Sequence, residues 1–245
     1  MASLDEEAVK VVLSVLMVAG GNPEISAAAV GTLRWHSKID FQLVFVDNGS
    51  TENMNEAIKP HIRAKDIFIR YNVGRSFAGA NNHALSLAEG DYVMGLNNDT
   101  VAEGDWQTPL LTEGINYDLC GPTVRRLIIC DELKTMLCHR PDGKMADADP
   151  SEVGSYVEGW CFFIRRDYWK AIGGFDETWW PMYCEDSDLS FKVKAAGGKI
   201  GKVPVPIRHL GGKDTERYLR NDYKDVFQKA NAHKMYARWV KGASL

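Results

Sequence analysis

Residues 11–23 read Val-Val-Leu-Ser-Val-Leu-Met-Val-Ala-Gly-Gly-Asn-Pro, and the order of residue types in this stretch decides the fold. An apolar run interrupted only by Ser14 and followed at once by small turn formers describes a buried strand. Asn22 then predicts a helix cap, with Pro23 at the first helical position, where its missing N–H costs nothing. Ile25, Ala29 and Leu33 recur one turn apart, so the helix is expected to run to about Ser37. The alternation continues outward. Gln42 to Val46 predicts a second strand that stops at Asp47-Asn-Gly-Ser50, whose Asn-Gly is turn chemistry. Asp66 to Arg70 predicts a third, leading through Tyr71-Asn-Val-Gly74 into a helix from about Phe77 to Glu89. Tyr92 to Leu96 predicts a fourth, ending at Asn97-Asn-Asp-Thr100. Strands alternating with helices require crossover connections, so the expected class is α/β with a mainly parallel central sheet flanked by helices. In open sheets of this kind ligands bind beyond the carboxyl ends of the strands, where both Asp47 and Asp99 fall.

The second half changes character. Leu127 to Cys130 and Leu133 to Cys138 predict a β-hairpin across Asp131-Glu132, and Arg140-Pro-Asp-Gly143 predicts a further turn. The polar segment from there to Ser155 reads as a surface loop, and Tyr156 to Ile164 as one strand. A helix is expected to stop at Gly173-Gly174, and another from about Glu185 to Ala196 to end at Gly197-Gly198. Short strands, Lys199 to Val203 and Val205 to His209, precede a charged helical tail from Thr215 to Val240. Neither a repeat nor a low-complexity linker interrupts the chain, so residues 1–245 are read as a single domain.

Composition narrows the function classes. Lys and Arg number 29 against 33 Asp and Glu, a net charge of −4, which argues against a protein that holds nucleic acid through a basic face. Cys120, Cys130, Cys138, Cys161 and Cys184 are odd in number and lack CxxC spacing, so reduced thiols are expected rather than a disulfide framework or zinc cluster. The longest apolar run, Val11 to Ala19, is roughly half the length of a membrane span. Asp5, Glu6 and Glu7 precede it where a signal peptide carries positive charge. These features predict a soluble, cytoplasmic protein with no transmembrane segment. Lys224, Lys229, Lys234, Arg238 and Lys241 on the tail predict either a solvated helix face or a peripheral contact with the inner face of a membrane.

The chemistry-bearing residues come next. Neither G-x-G-x-x-G nor G-x-x-x-x-G-K-[ST] occurs. Instead Asn97-Asn98-Asp99 offers a carboxylate and two carboxamides at a strand end, oxygen donors suited to a hard divalent cation. Far along the chain, Ile207-Arg-His-Leu-Gly-Gly212 places an imidazole at another strand end, and mixed O/N ligation suits Mn²⁺ somewhat better than Mg²⁺. Glu185-Asp186-x-Asp188 gathers three acids at a predicted helix start, where they either serve catalysis or stabilise the helix dipole.

Six segments, in order, carry a family resemblance: Val46-Asp-Asn-Gly-Ser50, Asn72-x-Gly-x-x-x-Ala78-Gly-x-Asn81-Asn82, Leu96-Asn-Asn-Asp-Thr100, Gly173-Gly-Phe-Asp-Glu177, Cys184-Glu-Asp-x-Asp-Leu189 and His209-x-Gly-Gly. Over roughly residues 10 to 240 the chain resembles glycosyltransferase family 2, with its GT-A fold, and within it the bacterial rhamnosyltransferase-like branch. That resemblance implies a nucleotide-binding half over about 10–100, an acceptor-side catalytic half over about 101–210 with a smaller β-hairpin region, and a helical tail over about 211–245. It implies an inverting transfer of a hexose-type sugar from a nucleotide-diphosphate donor, UDP- or dTDP-linked, to the hydroxyl of a glycan, lipid-linked or other acceptor. Asp186 is the implied general base, with Glu185 its competitor.

The donor side would comprise Val18, Ala19 and Gly20 around the base, Asp47 and Asn48 on its polar edge, and Asn72, Arg75 and Asn81 toward the diphosphate. The alternative reading of Asp47 is the cap of a tight turn, and that of Arg75 a solvated cation. Asn97, Asn98 and Asp99 would replace the family's DXD motif, with Asp99 and His209 as metal ligands; Asn at 97 leaves one carboxylate fewer. Trp160, Trp179, Trp180, Asp176 and Asp188 would face sugar or acceptor, the tryptophans through ring stacking or else as ordinary core. Two other classes stay open: a sugar nucleotidyltransferase, although Ala19-Gly-Gly-Asn-Pro23 lacks the basic residue its loop needs, and a nucleotide-sugar or glycan binding module without catalysis.

Overall fold

The computed structural model describes residues 12–137, 147–211 and 221–241. Among these, β1 (Leu13–Ala19), α1 (Pro23–Trp35), β2 (Gln42–Asn48), α2 (Met54–Ile58), β3 (Ile67–Tyr71), α3 (Phe77–Leu87) and β4 (Tyr92–Asn97) form the alternating first half. Short elements follow: β5 (Thr100–Ala102), α4 (Gln107–Thr112), β6 (Leu119–Gly121), β7 (Val124–Arg126), and the hairpin of β8 (Ile128–Cys130) and β9 (Thr135–Leu137). Then come β10 (Ser155–Val157), β11 (Cys161–Arg165), α5 (Arg166–Ala171), α6 (Glu185–Ala195), β12 (Ile200–Lys202), β13 (Ile207–His209) and α7 (Asn221–Tyr236). The expected turn at Arg140–Gly143, Cys138, and the start of the tail at Thr215 lie outside the described residues.

The central sheet has seven strands in the order β12-β6-β11-β4-β1-β2-β3. Its β4-β1-β2-β3 half is parallel, as the alternation requires, and β12 pairs parallel with β6. Only β11 runs antiparallel to its neighbours β4 and β6. Side chains alternate across the sheet. On one face Val15, Met17 and Phe45 pack with Ala29, Val30 and Leu33 of α1; on the other Leu16, Val44 and Val46 pack with Ala80 and Ala84 of α3 and with Phe162 and Trp169. A third cluster, centred on Trp179, Phe191, Met235 and Tyr236, lies beneath α7.

Two local expectations are corrected. Asn22 does not cap α1 with its side chain: it takes a left-handed φ of 54°, and its carbonyl accepts Ser26 N and Ser26 Oγ. The strand expected over Tyr156–Ile164 is two strands in different sheets, β10 with β7 and β11 with β4 and β6. Glu158, Gly159 and Trp160 leave the ladder between them because their backbone groups are engaged elsewhere: Glu158 N on Thr123 O, Gly159 N on a side chain of α6, and Trp160 O by Asn97 N.

Candidate active site

The parallel register sets Val18 beside Asn97 and Ala19 beside Asp47, so the carboxyl ends of β4, β1 and β2 form one row. Asp47 is fully buried there. Its Oδ1 accepts Ser50 N at 2.9 Å, closing the turn, while Oδ2 has no hydrogen bond among the described residues and faces Arg70 Nε at 3.4 Å. Beside it the Asn48 carboxamide bonds the Arg75 backbone twice, Nδ2 donating to Arg75 O at 3.0 Å and Oδ1 accepting Arg75 N at 2.8 Å. Gly49 makes this junction possible: its φ is +84°, and a Cβ there would lie 2.7 Å from Gly74 N. The Arg75 guanidinium sits over the Tyr71 ring, 4.4 Å from its centroid.

The chain turns from β4 into β5, which pairs with β13 and so sets His209 opposite Thr100. His209 Nε2 lies 3.1 Å from Asp99 Oδ1 and 3.5 Å from Asn97 Nδ2. Trp160 stacks flat on the imidazole, with centroids 4.9 Å apart and planes at 5°. A carboxylate oxygen, an imidazole nitrogen and a carboxamide converging from two strand ends are a donor set that suits Mn²⁺ or Mg²⁺. Among the described residues no third His, Cys, Asp or Glu joins them, so these side chains supply at most part of a ligand set. The residues therefore fit a cation held jointly with a ligand.

The acid pair stands at the start of α6. Asp186 Oδ2 accepts Gly159 N at 2.9 Å, and Oδ1 accepts Ser187 N at 2.7 Å. Gly159 has to be small, since a Cβ would come 3.2 Å from Asp186 Cβ. Burial pushes the Asp186 carboxyl above the ordinary carboxylate range, against the pull of these N–H donors, and the Glu158 charge adds to the rise. Glu185 is pushed up further, by burial first and by the Asp186 charge second, and its Oε2 has no hydrogen-bond partner among the described residues. Glu158, which sequence reasoning missed, also accepts Trp160 Nε1 at 3.2 Å and pairs with Arg125 Nε at 3.3 Å. The segment Glu158-Gly159-Trp160 thus touches Asp186 at one residue and His209 at the next.

The pair reaches this position through an unusual turn. Tyr183 and Cys184 both take left-handed φ, 77° and 73°, a conformation costing roughly 1–3 kcal/mol per non-glycine residue unless its surroundings hold it. The surroundings are the tail. Asn231 Nδ2 donates to Met182 O and Tyr183 O, both at 3.0 Å, and Lys234 Nζ donates to Thr178 O at 2.8 Å. Arg238 Nη2 meets Asp176 Oδ2 at 2.6 Å and its Nη1 meets Asp188 Oδ1 at 2.9 Å, where Trp239 Nε1 also bonds. From α3, Asn82 reaches across to Phe175 N, Phe175 O and Glu177 Oε1. No sequence signal marked Asn231, because a polar residue on a charged helix reads as solvated.

Several sequence candidates are placed elsewhere. Asn98 turns into the core, its Nδ2 on Ser26 Oγ at 2.9 Å, since successive side chains at a strand end point to opposite sides. Asn81 bonds back to Phe77 O within its own helix. Trp179 is fully buried between Lys234 and Arg238, whose cationic groups lie 4.2 Å and 4.9 Å from its ring centroid, so it packs the tail rather than offering a face to a sugar. Asp188 is fully buried as the anchor of Arg238 and Trp239. Asp176 spends its oxygens on Thr178 N and Arg238; burial opposes ionisation, yet these partners outweigh it and hold its carboxyl near 2. Trp180 is 56% exposed, and Asn72 and Arg75 are exposed, all available to a ligand. Burial pushes the Cys120 and Cys161 thiols up, which keeps them protonated and unreactive. A cavity of about 860 Å³ between the 149–154 turn, Phe191 and Trp239 shares only Trp239 with the site contacts described above.

With this geometry in view the comparisons can be read. The model of glycosyl transferase family 2 matches residues 23–173, more than half of the chain. The chain belongs to glycosyl transferase family 2. The match runs from α1 to the end of α5 and stops short of the acid pair and His209. An N-acetylglucosaminyl-diphospho-decaprenol L-rhamnosyltransferase of Mycobacterium tuberculosis is 34% identical over 86 residues, 32% of this chain and 27% of that protein. The chain therefore matches about a quarter of that relative's length. Two solved structures share the fold over 95% of the chain at 14% identity: GalNAc-T7 with UDP, GalNAc and Mn²⁺, with a TM-score of 0.68 and 49% of that chain covered, and the mannosyltransferase PcManGT from Pyrobaculum calidifontis with GDP-Man and Mn²⁺, with a TM-score of 0.63 and 65% covered. The fold is the GT-A fold that family 2 members are expected to have.

Proposed function

We propose that this chain is an inverting glycosyltransferase of hexosyltransferase type, moving a sugar from a UDP- or dTDP-type nucleotide-diphosphate donor to an acceptor hydroxyl. The observation that carries the reading is the Glu158-Gly159-Trp160 segment, which joins Asp186 to the Asp99–His209 pair through direct contacts. A proton acceptor and an anion-facing pole on adjoining residues are what a displacement at a sugar carbon needs. Asp47, whose Oδ2 faces Arg70 Nε at 3.4 Å and makes no hydrogen bond among the described residues, accepts the imide N–H of a pyrimidine base, and Val18, Ala19 and Gly20 leave room for the ring. Arg75, at the start of α3, meets the diphosphate together with the helix N-terminus. Asp99 and His209, with Asn97, would hold a divalent cation, which supplies neutralising charge for the departing diphosphate.

Asp186 takes the acceptor proton as that oxygen forms its bond to the sugar carbon and the bond to the diphosphate breaks. Its raised pKa brings it closer to neutrality, where a general base works best. Glu185, raised further, holds its proton more readily beside it, which lowers the negative charge the pair carries. Trp160 is held by His209 on one face, and Trp180 is the exposed ring for acceptor or sugar. The name of the mycobacterial relative supports a lipid-linked acceptor among the candidate hydroxyls, and no helix among the described residues is long and apolar enough to cross a membrane. We take the whole chain as one transferase domain acting in the cytoplasm or peripherally at the inner membrane face.

Turnover of a panel of UDP-, dTDP- and GDP-sugars, with Mn²⁺ and after chelation, tests the proposal. Asp99→Ala is expected to lose cation-dependent nucleotide binding by about tenfold or more while the fold stays intact. Undiminished Mn²⁺-dependent binding in that variant removes Asp99 from the site.

A further inference from the structure

We propose that Asn231 is a positioning residue: its carboxamide holds the left-handed Tyr183–Cys184 turn and so sets where Glu185 and Asp186 stand. The proposal rests on the reading of Asp186 as the base. Tyr183 and Cys184 occupy a conformation that L side chains leave unless something retains them. What retains them is visible in the hydrogen bonds. The carbonyl of Met182 shares a rigid peptide plane with the nitrogen of Tyr183, and the carbonyl of Tyr183 shares one with the nitrogen of Cys184. Fixing both oxygens fixes the two planes that flank Tyr183, and with them its φ and ψ; the second of these planes is also the one about which the Cys184 φ turns. Asn231 Nδ2 carries two hydrogens and donates to these two oxygens, each at 3.0 Å. Only 6% of Asn231 is exposed, so water does not compete readily for the same carbonyls.

The geometry downstream makes the turn consequential. Cys184 is the residue before α6, and Asp186 must keep Gly159 N at 2.9 Å and Ser187 N at 2.7 Å. A relaxed φ at Tyr183 or Cys184 re-aims the helix start, and displacement of about 1 Å costs around a hundredfold in rate. The other tail contacts grip side chains or the Thr178 carbonyl further from the turn. The charged groups around the pair are Glu158 from the β10–β11 connection, Asp188 and Lys192 from α6, Asp176 from the preceding loop, and Lys234 and Arg238 from the tail. Asn231 adds no charge among them, so its effect is geometric.

Three variants test this: Asn231→Ala, Cys184→Gly and the pair combined, with Asp186→Asn in parallel. Asn231→Ala should lower kcat about 10- to 100-fold, leave the donor KM within about twofold, and speed hydrogen exchange at the Gly159 and Ser187 amides. Glycine adopts the left-handed region freely, so Cys184→Gly in the Asn231→Ala background should recover at least about fivefold of kcat and slow that exchange again. A residue that merely stabilises the tail predicts a lower Tm with no recovery from glycine. No recovery, or unchanged amide exchange in Asn231→Ala, overturns the proposal. If Asp186→Asn keeps its turnover, the reading of the base fails, and the exchange measurements still decide whether Asn231 holds the turn.

Discussion

The two ends of the cleft are held in opposite ways. At the proposed donor end the Asn48 carboxamide fastens one loop to the next, and partner strands set Asp47 and Ala19 side by side, so the ends of β1, β2 and β3 and the segment before α3 hold one another. At the acid end the segment from Asp176 to Asp188, a loop running into the first turn of α6, contains two strained residues and is gripped by Asn231, Lys234, Arg238 and Trp239, roughly 50 residues later in the chain. The donor end follows from forming the sheet. The acid end is held in addition by a separate helix, α7, through the carbonyls of Met182 and Tyr183, and by Arg238 just beyond it through the carboxylate of Asp188.

That contrast can be broken experimentally, and the steepest effect belongs to the acid end. Asp186→Asn should reduce transfer by about 10²- to 10⁴-fold while donor binding, measured by calorimetry, changes little. Arg238→Met strips the main partner from fully buried Asp188 and is expected to cost about 3 kcal/mol in urea unfolding, the lower end for a broken buried pair because Lys192 and Trp239 remain. Glu185→Gln probes protonation. Because the folded carboxyl is raised, the folded state keeps a proton that the unfolded chain releases above its ordinary value of 4.5, so stability falls as pH rises from there toward the folded value. The glutamine variant should flatten that decline, by up to about 1.4 kcal/mol per pH unit, read from denaturation midpoints between about pH 4 and 8. Asn48→Ala, at the self-supporting end, should cost only about 1 kcal/mol. Trp180→Ala should leave stability within about 0.5 kcal/mol, since the ring is mostly exposed, and should act on the acceptor KM if anywhere.

How much of this was legible in the sequence follows the same division. The alternation from β1 to β4 was readable because apolar period and turn residues are local signals, and the parallel register then brought Asn97, Val18, Ala19 and Asp47 into a row. The pairing of Asp99 with His209 was carried by family resemblance, and the geometry brings them to 3.1 Å. Side-chain direction was not readable. Asn98 and Asp99 are neighbours of similar size, yet one supports Ser26 and the other faces His209. Trp179 and Trp180 divide likewise, one buried under the tail and one exposed. Composition cannot separate such pairs, because the choice is made by elements that arrive from elsewhere in the chain. The split of Tyr156–Ile164 is the clearest case: its residues suit one strand, and only the demands of Thr123, Asp186 and Asn97 on three consecutive backbone groups break it.

The late position of α7 also orders events in time. During synthesis the chain emerges from its N-terminus, so every strand of the central sheet is available before Asn231 or Arg238 has been made. The donor end can assemble on the ribosome while the turn at Tyr183 and Cys184 still lacks its grip. A nascent chain thus makes the sheet edge that carries Ala19 and Asp47 before it makes the tail residues that hold the turn ahead of Glu185 and Asp186.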